Sequence, residues 1–258
     1  MFMSAPPHTR GSGRLAVASG AAGALASMAV IPYAMALSPG LLTRIPLPLH
    51  VFLIAQFLQT LLLFALLSWA GFRLAAVVGL HAPILHALAA RNTPRPLPRR
   101  SLGMAAVAGC LVGLALLALG KFSEPLMPAE IGAAVPGIAL WKRLLASFYG
   151  GIAEELMCRL FLMSLIVWLA NRFLTREAMR NARAMWIGIV GAALVFGVGH
   201  LPAVAALFPL TATAVIRIVA LNAVGGIVFG WLYWRRGLEH AMVAHFMADV
   251  VLHGLGGQ

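Results

Sequence analysis

The chain has 258 residues, 62% of them hydrophobic and 10% charged, with a formal net charge of +12. A soluble domain carries about 25% charged residues, so this composition excludes one and points to a chain that crosses a membrane several times. Nucleic-acid binding is excluded as well: the 17 Arg and two Lys lie mainly in short segments between apolar runs, without basic and aromatic residues interleaved.

Taken in order, residues 1–14 read as a polar tail. The first apolar run, 15–37, contains Ala34-Met35-Ala36, which resembles a leader-peptidase site. A leader's apolar core is only about 7–15 residues long, so the run is read as an uncleaved span. Span 2 covers about 48–71. A helical pattern over 74–90 follows, then the Pro/Arg-rich loop 91–100, where regular helix is not expected. Span 3 is 102–120, span 4 is 141–170, and the Arg-rich segment 171–184 is expected to continue as helix. Span 5 is 185–208, broken by Pro202 just after His200; span 6 is 211–234 and span 7 is 238–255. Splitting 203–234 would make eight. The expected fold is an all-α, polytopic transmembrane helix bundle of seven or eight spans.

Basic residues are unevenly shared between alternate connections. Arg10, Arg14, Arg73, Arg91, Arg95, Arg99, Arg100, Arg172, Arg176, Arg180, Arg183, Arg235 and Arg236 fall on one side, and only Arg44, Lys121, Lys142 and Arg143 on the other. The positive-inside rule then makes the N-terminus cytoplasmic. The preference for Arg over Lys and the abundance of Ala are associated with GC-rich bacterial genomes, so the expected location is a bacterial inner membrane. No internal repeat pairs the two halves.

The chain has seven acidic residues, and two of them, Glu154 and Glu155, stand side by side in span 4. A charged side chain at the bilayer centre costs roughly 2.5–3.5 kcal/mol even on lenient scales, so both need partners. Arg159, four residues after Glu155, shares its helix face. Glu154 is rotated by about 100° from its neighbour and can turn into the bundle. The partners for it lie on other spans: His200 near mid-depth of span 5, and His245 with Asp249, four apart on span 7. A carboxylate and an imidazole holding one water form a general-base pair, and a second imidazole with a polar neighbour can stabilise an oxyanion. The set Glu154, His200, His245 and Asp249 also suffices as ligands for a divalent metal such as zinc. Cys110 and Cys158 read as filler, Asn222 as helix packing, His240 and His253 as interfacial, and Arg217 and Glu239 as lying near the membrane faces.

Glu-Glu-x-x-x-Arg at 154–159, Phe-x-x-x-His at 196–200 and His-x-x-x-Asp at 245–249, in this order on successive spans, resemble the CPBP intramembrane protease family, the type II CAAX prenyl endopeptidase and bacteriocin-processing (Abi) group. The resemblance covers roughly residues 140–255. It divides the chain into a cytoplasmic tail (1–14), N-terminal transmembrane helices with a basic cytoplasmic loop (15–138) and a CPBP-like core (139–258). It implies an intramembrane endopeptidase acting near the cytoplasmic membrane face. Glu154 and His200 would activate water, His245 and Asp249 would stabilise the oxyanion, and Glu155 and Arg159 would hold the geometry. The prenyl-protease members carry Asn where this chain has Asp249, which leaves that residue open between oxyanion stabilisation, orientation of His245 and metal ligation. The cofactor is open between none and a divalent metal. The expected partners are a peptide or membrane-protein substrate and the lipid bilayer. A non-catalytic immunity or partner-binding protein of the same fold, and an ion-coupled transporter, are the other function classes compatible with buried carboxylates.

Overall fold

Backbone groups in lipid must be satisfied within the chain, which restricts apolar runs of this length to helices. The computed structural model describes residues 12–38, 40, 45–89, 99–126, 137–175, 181–207 and 209–256, and among these there is no β-strand. The tail through residue 11 and the Pro/Arg-rich segment 91–98 lie outside the described residues.

Among the described residues ten helices of five residues or more follow in order, besides a 3-10 turn at Glu124–Leu126: α1 (Ser12–Ala29), α2 (Ile31–Leu37), α3 (Leu49–Val78), α4 (Pro83–Ala89), α5 (Arg99–Phe122), α6 (140–175), α7 (Ala182–Gly199), α8 (Leu201–Ala205), α9 (Ala212–Arg236) and α10 (Leu238–Leu255). α1 with α2, and α7 with α8, are single rods with a joint, so the described residues form seven long rods and the short α4. Five of the rods are long and apolar enough to cross a membrane. The other two, α6 and α10, carry the ionisable side chains singled out from the sequence.

Three boundaries differ from the sequence reading. Span 2 does not stop at residue 71 but runs on as α3 to Val78, where Gly79 turns left-handed (φ 79°) and donates to the Ala75 carbonyl. Gly71 is a contact residue rather than a stop, because a Cβ there would lie 2.9 Å from the Leu160 carbonyl oxygen. Arg99 and Arg100, read as loop, form the first turn of α5; no proline follows position 98 to interrupt it. The helical pattern over 74–90 is divided at Gly79 into the end of α3 and the separate α4. The Glu239 carboxylate pins α4 to the start of α10 by accepting the Leu85 N–H at 2.8 Å.

The rods reverse direction in succession. At one end Ser101 of α5 meets His240 of α10 at 2.9 Å. At the other end Tyr33 of α2 packs edge-on against His253 of α10, and Arg217 of α9 donates to the Gly120 carbonyl of α5 at 3.0 Å. The first end gathers Arg14, Arg73, Arg99, Arg100, Arg172, Arg183, Arg235 and Arg236; the second holds Lys121, Lys142, Arg143 and Arg217. Between them the outer surface is apolar. On α3, Leu58, Leu62 and Leu66 face outward while Phe64, Ser68 and Phe72 are buried, each set at the four-residue spacing of a helix face.

α5 and α10 run parallel and in close contact through Gly109-x-x-x-Gly113, the small-residue spacing that lets membrane helices approach. A Cβ at Gly109 would overlap the Ala244 carbonyl, and one at Gly113 would lie 2.7 Å from that of Ala248. Gly109→Val should lower the thermal midpoint of the detergent-solubilised protein, at a cost of about 1–3 kcal/mol. Gly103→Ala, where a Cβ meets nothing within 4 Å, should leave it unchanged.

Candidate active site

α6 is continuous from 140 to 175 but changes its winding. An α-helical start, Leu140–Phe148, passes into wider π turns over Tyr149–Glu154 and Leu156–Met163. Turns of this kind occur mostly as local insertions at functional sites, and here they carry Glu154, Glu155 and Arg159. The preceding glycines bring α10 close. A Cβ at Gly150 would overlap the Asp249 carboxylate, and one at Gly151 would lie 2.7 Å from Phe246 Cβ.

Glu155 is fully buried. Its Oε1 accepts the His245 Nδ1–H at 2.7 Å and lies 3.1 Å from Arg159 Nη1. The Arg159 guanidinium, also buried, sits over the rings of Phe196 (4.8 Å) and Phe229 (5.4 Å). The His245 ring stacks on Phe229 at 4.5 Å and meets Phe196 edge-on. Packing and hydrogen bonding therefore fix both the orientation of this imidazole and the proton on Nδ1. Its Nε2 faces Glu154 Oε2 at 3.6 Å and Asp249 Oδ1 at 3.7 Å.

His200 stands at the joint between α7 and α8, where Pro202 supplies no N–H. Its Nδ1 lies 2.8 Å from the Phe196 carbonyl oxygen, which can only accept. Nδ1 is thus the protonated nitrogen of the neutral ring, and the lone pair is on Nε2, 3.9 Å from Glu154 Oε1. That separation is too long for a direct hydrogen bond and short enough for both atoms to bond one water. The six residues picked out from the sequence are thus brought together: Glu155, Arg159 and His245 as a buried chain, and Glu154, His200 and Asp249 around the free face of His245.

These last three, with His245, line a cavity of about 350 Å³. The sequence reading left several of its walls out. Val30, Tyr33 and Leu37 from the first rod and Leu116 from α5 belong to it, so the N-terminal helices are part of the site and not only neighbouring spans. His253, read as interfacial, lines the cavity against Tyr33. His240, read the same way, is buried on α5 instead. Gly150 had a visible signal, since Gly150-Gly151 immediately precedes the acidic pair; Tyr33 and Leu116 had none. Asn222 lines the cavity but bonds back to the Ile218 carbonyl of its own helix.

The cavity lies toward the arginine-poor end, where α2, α5, α8 and α10 finish and α6 begins. A cytoplasmic N-terminus and a site near the cytoplasmic face, both expected from the sequence, are therefore incompatible: the rods place the arginine-rich segments and the cavity at opposite ends.

As for the metal alternative, no three His, Cys, Asp or Glu side chains among the described residues converge closely enough to hold an ion.

Residues 136–251 match the family model for type II CAAX prenyl endopeptidases, Rce1-like, a segment that holds all six of these side chains. No curated protein and no solved structure matches the chain.

Removing one member of a buried ion pair strands the other, at a cost of about 3–5 kcal/mol. Arg159→Met should accordingly collapse the yield of folded protein. The double variant Arg159→Met with Glu155→Gln should recover part of it, read as a positive coupling in a double-mutant cycle of thermal stability.

Proposed function

This chain belongs, through residues 136–251, to the Rce1-like type II CAAX prenyl endopeptidases of the CPBP family of membrane proteases, and from that premise we propose that it is an intramembrane endopeptidase whose water is activated by Glu154 and His200. The observation that carries the reading is the position of the Glu154 carboxylate, with one oxygen 3.9 Å from His200 Nε2 and the other 3.6 Å from His245 Nε2, on the wall of a cavity.

In this reading a water sits between Glu154 and the unprotonated Nε2 of His200. These groups take its proton as its oxygen attacks the carbonyl carbon of a peptide bond in the cavity. The carbonyl oxygen becomes an oxyanion and needs donors. His245, its Nδ1–H held by the Glu155 carboxylate, offers Nε2–H when its ring carries both protons. Asp249 offers a second donor in its acid form. The oxyanion re-forms the C=O as the C–N bond breaks, and the proton taken from water goes to the leaving amine; the products are an amine and a carboxylic acid, which then loses its proton to water. Glu155 and Arg159 touch no reacting atom and act by positioning His245. No step runs through a metal. The substrate is a peptide or a segment of a membrane protein.

A general base typically contributes 10²–10⁴-fold, so Glu154→Gln should lower turnover by about that factor without loss of folded, inserted protein. His200→Ala should do the same. Because Asn can donate where a protonated Asp does, Asp249→Asn should keep most activity, and Asp249→Ala should lose roughly 10²–10³-fold, the usual cost of one oxyanion donor. The measurement is mass spectrometry of new peptide termini in membranes of cells expressing each variant. Undiminished cleavage by the Glu154→Gln protein would refute the assignment.

A further inference from the structure

We propose that the cavity takes its substrate from the extracytoplasmic side of the membrane, as the outward-facing boundary segment of a membrane-anchored peptide. The cleavage itself rests on the reading above; the orientation does not.

Two independent features give the orientation. The first is charge. One end of the bundle collects eight of the described arginines, the other only four basic residues. Basic residues close to span ends are retained on the cytoplasmic side, so the arginine-rich end faces the cytoplasm.

The second is access. The cavity is built from the last turns of α2 (Leu37), α8 (Ala203) and α10 (His253) and from the first turns of α6 (Ala146). Every one of these lies toward the arginine-poor end. At a rise of about 1.5 Å per residue, Asp249 is roughly 9 Å from the end of α10 at Leu255 and roughly 17 Å from its start at Leu238. His245 sits near the middle of α10, roughly 10 Å from its start and roughly 15 Å from its end, so the cavity reaches from mid-depth toward the arginine-poor end.

The path from the arginine-rich end is closed. Arg159, Leu156, Leu160, Met163 and Tyr233 lie below the site, and none is more than 2% exposed. A second cavity, of about 340 Å³, does lie at that end and reaches up to Leu160 and Tyr233 of this layer, but none of the six site side chains lines it. A peptide arriving from the cytoplasm would have to cross this packed layer and separate the buried ion pair. From the opposite face, no packed layer of this kind stands over Glu154 and His200 among the described residues. The cleavable segment is therefore one that has already crossed the membrane, while its anchor remains in the bilayer.

The test labels single cysteines in a Cys110→Ala, Cys158→Ala background with a membrane-impermeant maleimide on intact cells. Ala203→Cys, exposed at the cavity mouth, should react before permeabilisation, and Arg235→Cys, exposed at the other end, only after it. The reverse order, or equal labelling of both in intact cells, would overturn the proposal. Should either cysteine fail to react even after permeabilisation, alkaline phosphatase fused after Gln258, beyond the same end of α10, decides the orientation: active enzyme supports it and inactive enzyme overturns it. Both measurements are repeated in the Glu154→Gln protein, so orientation is read whether or not the chain cleaves. The termini that depend on Glu154 supply the second arm. Cuts on the extracytoplasmic side of substrate anchors are expected; cuts on the cytoplasmic side would defeat the proposal and leave the hydrolase reading intact. No Glu154-dependent cut at all would remove the hydrolase reading and the substrate with it, while the labelling still decides which way the cavity faces.

Discussion

Everything around the site depends on how one buried carboxylate is neutralised. Glu155 has no exposure to solvent and meets a guanidinium on its own helix and an imidazole from α10. Ionised groups so deep are tolerated only when paired. The pairing ties four helices together: α6 supplies both charges, α10 is held by His245, and α7 and α9 supply the Phe196 and Phe229 rings under Arg159. With Glu155 engaged, its neighbour Glu154 is left to face the cavity. Two adjacent acids thus take different parts, one in holding the helices and one exposed to the pocket, because a helix turns them to different sides.

Small residues make the pairing reachable. An ordinary side chain at Gly150 or Gly151 would keep α10 away from α6, and one at Gly109 or Gly113 would keep it away from α5. Since α10 carries His245 and Asp249, both contacts bear on the site, although neither α5 glycine lines it. The wider winding of α6 over Tyr149–Met163 falls where these contacts converge. Packing and chemistry are joined here through steric clearance.

The bundle is also unlike at its two ends. On the arginine side of the site lie Leu156, Leu160, Met163 and Tyr233, all with almost no exposure, which separate it from the second cavity. Toward the other end the same helices part around the cavity. Hydrolysis inside a membrane needs water at the reacting bond and its exclusion from the lipid around it. A pocket lined by Glu154 and His200 and bounded on one side by a buried ion pair and apolar side chains suits both needs. The first rod contributes Tyr33 and Leu37 to that opening, which ties the N-terminal helices to whatever enters.

Much of this was legible in the residue order. Apolar runs of span length allow only helices in lipid, so the all-α bundle and most of its rods could be read directly. The expense of buried charge marked Glu154, Glu155, Arg159, His200, His245 and Asp249, and the four-residue spacing placed Glu155 with Arg159 and His245 with Asp249. Local spacing says nothing about contacts between helices. The hydrogen bond from His245 to Glu155, across 90 residues, the Tyr33 and Leu116 walls and the burial of His240 were set by packing, since any helix face of similar composition would have satisfied the sequence alone. The end at which the cavity opens was decided in the same way. Charge counting separates the two ends of the rods, but only their assembly determines at which end Glu154, His200, His245 and Asp249 share a cavity.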